Sequence, residues 1–247
     1  FSVWFFYAKM HLLLVLILTM FNRKKTTFLV VFIAVIIGLV LAWFFIKPKQ
    51  NTSSIDWTNP DSIFALDIPD DFNEDKIERL QSKIDNARQL LEEKPEDNWT
   101  FATIGNMYEF VRDYDRALLA YQKSLTIQPN DITSMLSIAT IYTNYQPNFK
   151  EAEKYYSRAI GIFPQLPDLY NRLARLYWLK MDRLEDAEII FLQGVENSQE
   201  HSDALVNLIG FYERTDQINK QKTHVTRLLE LYPDEELYQQ EWGHLIE

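Results

Sequence analysis

"TIGNMYEFVRDYDRALLAYQKSLTIQPN", residues 103–130, holds three tyrosines, one glycine, two alanines and a closing proline, and neither histidine nor cysteine. Its residue types return at a fixed interval. Tyr108 recurs as Tyr142, Tyr177 and Tyr212, at steps of 34, 35 and 35 residues. Ile104 recurs in step as Ile138, Leu173 and Leu208, and Gly105 is followed by Ala139, Ala174 and Ile209. Ala117 gives way to Ala152, Ala187 and Gln221; Tyr121 to Tyr156, Phe191 and Val225; Ser124 to Ala159, Gly194 and Leu228. Pro129 returns as Pro164, misses at Gln199, and returns as Pro233. A period of this length signals a stack of repeating units.

The residue types have a physical reason. A unit of about 34 residues cannot bury its apolar face alone, so each must pack against the next. Small residues such as Gly105, Ala117 and Ala152 let neighbouring elements approach, while Tyr108 and Tyr121 fill the space beside them. A proline ends a helix and redirects the chain. The pattern resembles the tetratricopeptide repeat, in which a large residue, Leu-Gly, Tyr, Ala, an aromatic, Ala and Pro fall at fixed offsets over about 34 positions. The resemblance covers 98–131, 132–166, 167–201 and 202–235, together 98–235, and implies an all-α solenoid of antiparallel helix hairpins. One extra residue falls in the turn near Pro147 and another near Asp182. The fourth copy has lost its small residues, at Ile209, Gln221 and Leu228.

The flanks keep this register. Residues 73–95 place Ile77, Leu80, Ile84, Ala87 and Leu91 at helical spacing, and Pro95 precedes Ile104 as Pro129 precedes Ile138. A leading helix over the first repeat is expected. At the other end, 236–247 is expected to be a capping helix, because solenoids need polar caps. The alternative is a fifth repeat cut short at Trp242-Gly243.

The first 50 residues differ from the rest in charge. They hold six Lys or Arg and no Asp or Glu, leaving 19 basic and 35 acidic residues over 51–247, a net charge of −16. Such a body repels phosphate backbones, so no nucleic-acid partner is expected. With no cysteine in the chain, disulfides and zinc–thiolate sites are excluded. "FLVVFIAVIIGLVLAWFFI", residues 28–46, is uncharged throughout and long enough to cross a hydrocarbon core of roughly 30 Å. No small-residue cleavage site follows it, so it is expected to be an uncleaved single-pass membrane anchor. Residues 1–27 are either an over-extended reading frame, with a start at Met20, or an extra apolar segment. Arg23, Lys24 and Lys25 outnumber Lys47 and Lys49, so that side is expected to be cytoplasmic and the soluble domain to lie in the periplasm or another extracytoplasmic space. Residues 47–72, polar with three prolines and no helical period, are expected to be a linker.

No catalytic constellation is evident. The glycines are too scattered for a phosphate loop, and neither H-E-x-x-H nor G-x-S-x-G occurs. His224 and His244 lie on neighbouring helices, but a solvated role is expected rather than metal ligation. The sequons at 51–53 and 98–100 are assigned no role. No metal, cofactor or enzymatic activity is expected. The resemblance instead implies a protein or peptide ligand held on the inner face of the solenoid. Transferred by register, that face carries Trp99, Asn106, Glu109 and Phe110, then Thr140, Thr143 and Asn144. It continues with Asp168, Asn171, Arg175 and Trp178, then Asp203, Glu213 and Arg214. Arg175 would meet a carboxylate and Trp178 an apolar side chain, the alternative being that Trp178 packs between repeats. The family's clamp for chaperone C-termini is not reproduced, since Ala102 stands where a lysine is needed.

The functional expectation is a membrane-anchored scaffold for assembly or maturation of cell-envelope proteins, like anchored tetratricopeptide proteins of cytochrome c maturation or outer-membrane biogenesis. The alternatives are an accessory subunit of a polysaccharide or peptidoglycan enzyme complex, or a cytosol-facing receptor on an organelle membrane.

Overall fold

Helix approach within a hairpin is set where a side chain is missing. In the computed structural model, which describes residues 54–246, a Cβ on Gly105 would lie 2.6 Å from Tyr121 Cε1. One on Gly194 would lie 2.8 Å from Tyr170 Cβ. The two contacts are mirror images in sequence. In one the ring comes from the second helix and the glycine from the first; in the other the roles are exchanged.

These contacts lie in the first and third of four hairpins, built from α3 (Asn98–Phe110) and α4 (Tyr114–Ile127), α5 (Ile132–Asn144) and α6 (Phe149–Ile162), α7 (Pro167–Met181) and α8 (Leu184–Asn197), and α9 (Ser202–Arg214) and α10 (Ile218–Leu231). Before them stand the single turn α1 (Pro60–Ile63) and the long α2 (Glu74–Glu93). After them come α11 (Glu236–Trp242) and one 3-10 turn, Gly243–Leu245. No strand occurs among the described residues. The second helix of each hairpin packs on the first helix of the next, and α7 also meets α9. The result is an all-α solenoid with two core clusters, one from Ile55 to Leu169 and the other from Ala139 to Trp242, that share Leu136, Tyr142, Tyr155 and Ile160 where they meet.

Local chemistry starts the helices. Asn73, Asp113, Asp131 and Asn148 each cap a helix by accepting a backbone N–H two or three residues on. Asp131 also ties hairpins together. Its Oδ2 accepts from Ser134 Oγ at 2.6 Å and lies 2.9 Å from the fully buried Ser124 Oγ, itself 2.9 Å from Asn98 O. Ser124 thus joins the start of α3 to the start of α5.

Several hairpin turns use left-handed backbone without glycine, at Arg112 (φ 63°), Asp182 (φ 53°) and Asp216 (φ 53°). The extra residue expected in the turn near Asp182 goes elsewhere. It lengthens α7 to 15 residues, against 13 for α3, α5 and α9, and leaves only Asp182 and Arg183 between α7 and α8. The missing proline at Gln199 also has a cause. Gln199 and Glu200 both adopt left-handed backbone, with φ of 57° and 58°, which a pyrrolidine ring fixed near −65° forbids. Arg227 on α10 holds this turn through two hydrogen bonds to the Glu200 carboxylate, and Tyr232 Oη donates to Glu200 O.

Residues 54–72, expected to be a linker, are instead part of the folded body. Ile63 is fully buried, and Tyr108 Oη donates to its carbonyl at 2.6 Å. Trp57 meets Phe101 edge-on at 5.3 Å, and Arg88 stacks over Phe64 at 4.3 Å. Arg116 donates to Ala65 O at 2.7 Å, and Arg112 grips Asp71 through two hydrogen bonds. An extended strap with a single turn has no period to betray its apolar residues, so polarity and proline dominated its reading. With α2 it covers the exposed side of the first hairpin. Ile77, read with the apolar stripe of α2, remains exposed near the start of that helix.

Among the described residues no helix is long and apolar enough to cross a membrane. The 28–46 segment, residues 1–27 and residues 47–53 lie outside them.

The glycine contacts generate a paired test. Gly105→Ala is expected to lower stability by about 1–3 kcal/mol, because its methyl meets the buried Tyr121 ring. Gly210→Ala, with nothing within 4 Å of its Cβ position, is expected to raise stability by about 0.5–1 kcal/mol through helix propensity. Urea midpoints that move in the same direction for both would refute the contact.

Candidate functional site

The first helices of successive hairpins line one face, and α5 and α7 leave a groove of about 320 Å3 on it. Thr140, Thr143 and Asn144 form one wall; Asp168, Asn171, Arg175 and, beyond them, Arg172, Leu176, Leu179 and Lys180 form the other. A second hollow of about 410 Å3 continues from Asp168 toward the helix N-termini. It is more apolar, with Ile132, Leu136, Leu166 and Val206 beside Asp203 and Asn207.

The structure therefore brings together Thr140, Thr143, Asn144, Asp168, Asn171 and Arg175 of the residues expected from the sequence. It takes others away. Trp178 lines neither hollow; its ring packs edge-on against Phe211 of α9 at 5.3 Å. It is a packing residue between hairpins. Phe110 is covered by Phe72 at 5.4 Å and by Lys83 at 5.3 Å, so the strap and α2 occupy its face. Asn106 Oδ1 and Glu109 Oε2 lie 2.7 and 2.9 Å from the Tyr121 hydroxyl and serve the hairpin itself. Glu213 and Arg214 are exposed at the end of α9, and Trp99 is 57% exposed at the start of α3, all apart from the hollows. Asp203 belongs to the second hollow.

Register transfer missed Arg172, Leu179 and Lys180. The signal was present. Asp168, Arg172, Arg175 and Leu179 follow the i, i+4, i+7, i+11 stripe of one helix face, and the added length of α7 carries that stripe past the usual end.

The charges in the groove are unevenly satisfied. Asp168 accepts from Arg172 Nε at 2.6 Å. Arg175 and Lys180 are exposed, and among the described residues neither has an ionic partner. The Asn144 and Asn171 amides, one on each wall, likewise have no side-chain hydrogen bond there.

Beneath this face, tyrosines fix the spacing of the hairpins. Tyr177 donates to Glu153 at 2.9 Å and Tyr212 to Glu188 at 2.8 Å, each reaching back to the preceding hairpin. A cation closes each pair: Arg183 lies over the Tyr177 ring at 4.3 Å, and Lys220 Nζ is 2.6 Å from Glu188. Burial and the Glu153 bond raise the Tyr177 phenol to about 12. Burial alone pulls Glu188 upward, but the hydrogen bonds from Lys220 and Tyr212 outweigh it and hold the carboxyl below its ordinary value. His224 stacks on Tyr212 at 5.5 Å. Burial lowers its pKa, against the opposing pull of Glu188 and Glu200.

Residues 100–131 match the family model of the tetratricopeptide repeat. The match covers the first hairpin; the pairing of the others is seen directly in their packing. Among curated proteins, the general transcriptional corepressor ssn6 of Schizosaccharomyces pombe is 32% identical over 104 residues, 42% of this chain and 9% of that protein. Protein O-mannosyl-transferase Tmtc3 of Drosophila melanogaster is 24% identical over 121 residues, 43% of this chain and 13% of the relative. The human TMTC3 is 25% identical over 118 residues, 42% and 13%. The chain thus spans about a tenth of the length of the curated relatives it matches. Similar solved structures include YrrB, a TPR protein with an unusual peptide-binding site, at 18% identity over 62% of this chain and 77% of that one, TM-score 0.45. MamA is 16% identical over 66% of this chain and 95% of its own, TM-score 0.48.

The His224 environment sets a pH dependence. Its folded pKa lies below the unfolded value of about 6.5, so its contribution is full above that value. As pH falls below it, the unfolded chain takes the proton and the native state does not, and stability is lost. Glu188 and Glu200, both lowered, act in the same direction but only below about pH 4.5. The thermal midpoint is therefore expected to drop between about pH 7.5 and 5.5, and His224→Gln to flatten that drop. Equal slopes in the two proteins would exclude His224 as the cause.

Proposed function

We propose that the chain is a protein-interaction scaffold whose groove between α5 and α7 holds a segment of a partner's chain. One observation carries this reading: Asn144 of α5 and Asn171 of α7 both line the groove, and neither amide has a side-chain hydrogen bond among the described residues. An amide offers a donor and an acceptor together, which is what an extended backbone requires. Rigid helices hold both, so little ordering cost opposes binding.

We further propose that residues 28–46 anchor the chain in a membrane as a single span, with the solenoid in the periplasm or another extracytoplasmic space. The uncharged run and the Arg23, Lys24, Lys25 cluster before it support this. In that position the scaffold serves assembly or maturation of envelope proteins. The solenoid recruits and orients, and catalysis belongs to its partners.

Two experiments test these proposals. A photo-crosslinking residue at Leu179 is expected to capture, in cells, a protein that the same residue at Gln193, on exposed α8 surface, does not. Asn144→Ala with Asn171→Ala is expected to cut that adduct roughly tenfold. Equal adducts from both positions would place the site elsewhere. For topology, the absence of cysteine allows one to be introduced at the exposed Ser54. A membrane-impermeant maleimide is expected to label Ser54→Cys in intact cells. Labelling only after lysis would reverse the orientation.

A further inference from the structure

The groove is a positive island on a negative body. Over residues 51–247, acidic side chains outnumber basic ones by 35 to 19, yet the groove holds Arg172, Arg175 and Lys180 against Asp168 alone. Asp168 and Arg172 neutralise one another at 2.6 Å. That leaves Arg175 and Lys180 exposed on one wall and without an ionic partner among the described residues. Elsewhere on the solenoid arginines commonly find carboxylates, as Arg112 finds Asp71, Arg183 finds Asp186 and Arg227 finds Glu200. Two unpaired cations beside free amides form a patch the fold itself does not use.

We infer that the groove takes an extended acidic peptide segment, an inference that rests on the groove being the binding site. Its carboxylates meet Arg175 and Lys180, the amides of Asn144 and Asn171 grip its backbone, and an aliphatic side chain lies against Leu179, which is 50% exposed. Charge-assisted hydrogen bonds from a guanidinium and an ammonium suit carboxylates. The mixed wall of Leu176, Leu179 and cations favours acidic residues interspersed with aliphatic ones over an unbroken acidic run. The same cations would attract a nucleic-acid phosphate, but the body's −16 opposes a polyanion along its length. The only aromatic on the groove walls, Tyr156, is buried and offers no face for a base. The chain's own first 50 residues contain no Asp or Glu, so the segment is not supplied from there.

The test uses the full chain in detergent micelles and a display library of random short peptides. Groove-dependent peptides are those whose binding falls with Asn144→Ala and Asn171→Ala, a pair that changes no charge. These peptides are expected to be enriched in Asp and Glu, to weaken as salt is raised, and to lose about tenfold in affinity with Arg175→Glu and Lys180→Glu. Selection on that charge-reversed protein is expected to return Lys- and Arg-rich peptides instead. Its circular dichroism and thermal midpoint should match the parent, because both side chains are exposed. Groove-dependent peptides of unbiased or basic composition would overturn the acidic class and leave the groove standing. A library yielding no groove-dependent peptide would overturn both readings. Groove-dependent binding of a single-stranded oligonucleotide tighter than that of the acidic peptides would replace the peptide with a nucleic acid.

Discussion

Everything in this solenoid follows from how closely two helices of a hairpin can lie. Where Gly105 faces Tyr121 the ring occupies the volume that a Cβ would claim, and where Gly194 faces Tyr170 the tyrosine's own Cβ does. The ring fills the gap between helices and is fully or nearly buried by doing so. That close approach sets the width of the first and third hairpins, and buried Ala139, Ala152 and Ala159 keep the second narrow. The groove between α5 and α7 is the space left over between such units.

Stacking is then governed by tyrosines at the repeat interval. Tyr177 and Tyr212 find glutamates on the preceding hairpin, 24 residues upstream in both cases. Among the described residues no hairpin of this kind precedes Tyr108, and the same upstream offset lands on the apolar Ile84. Its hydroxyl takes the Ile63 carbonyl instead, and Arg116 closes the contact on Ala65 O much as Arg183 and Lys220 close theirs. The strap over residues 54–72 thus supplies from backbone what a missing repeat would have supplied from a side chain. A buried phenol needs an acceptor, and the first repeat obtains one by folding the upstream chain onto itself.

The solenoid was legible because its packing demands are periodic. Small residues at 105, 139 and 174, or at 117, 152 and 187, can recur only if the same close contact recurs. The strap was illegible because its apolar residues, from Ile55 to Phe72, serve an irregular path and obey no period. Part of the groove was legible as well, since Thr140, Asn144, Asn171 and Arg175 lie on helix faces that the repeat places inward. Trp178 misled because one residue is 100° on a helix. Leu179 continues the groove stripe, while Trp178 turns toward Phe211 and the next hairpin. The Asp168–Arg172 pair is legible as opposite charges four residues apart on one helix, but that Arg175 finds no carboxylate on a neighbouring hairpin is set by the packing and lies beyond the order of residues.

The turn at Gln199 and Glu200 adds an ion pair to one seam of the stack. Between the first and second hairpins Leu118, Leu125, Met135 and Ile138 pack beside the Ser124–Asp131 hydrogen bond. Toward the C-terminus the latch between third and fourth hairpins includes Lys220 on Glu188 and Arg227 on Glu200, with left-handed backbone where proline stands elsewhere. Dissolved ions screen the second kind of contact, while strongly excluded salts tighten the first. The seam between the third and fourth hairpins therefore answers to ionic strength through its two ion pairs and to excluded salts through the hydrocarbon packed beneath them.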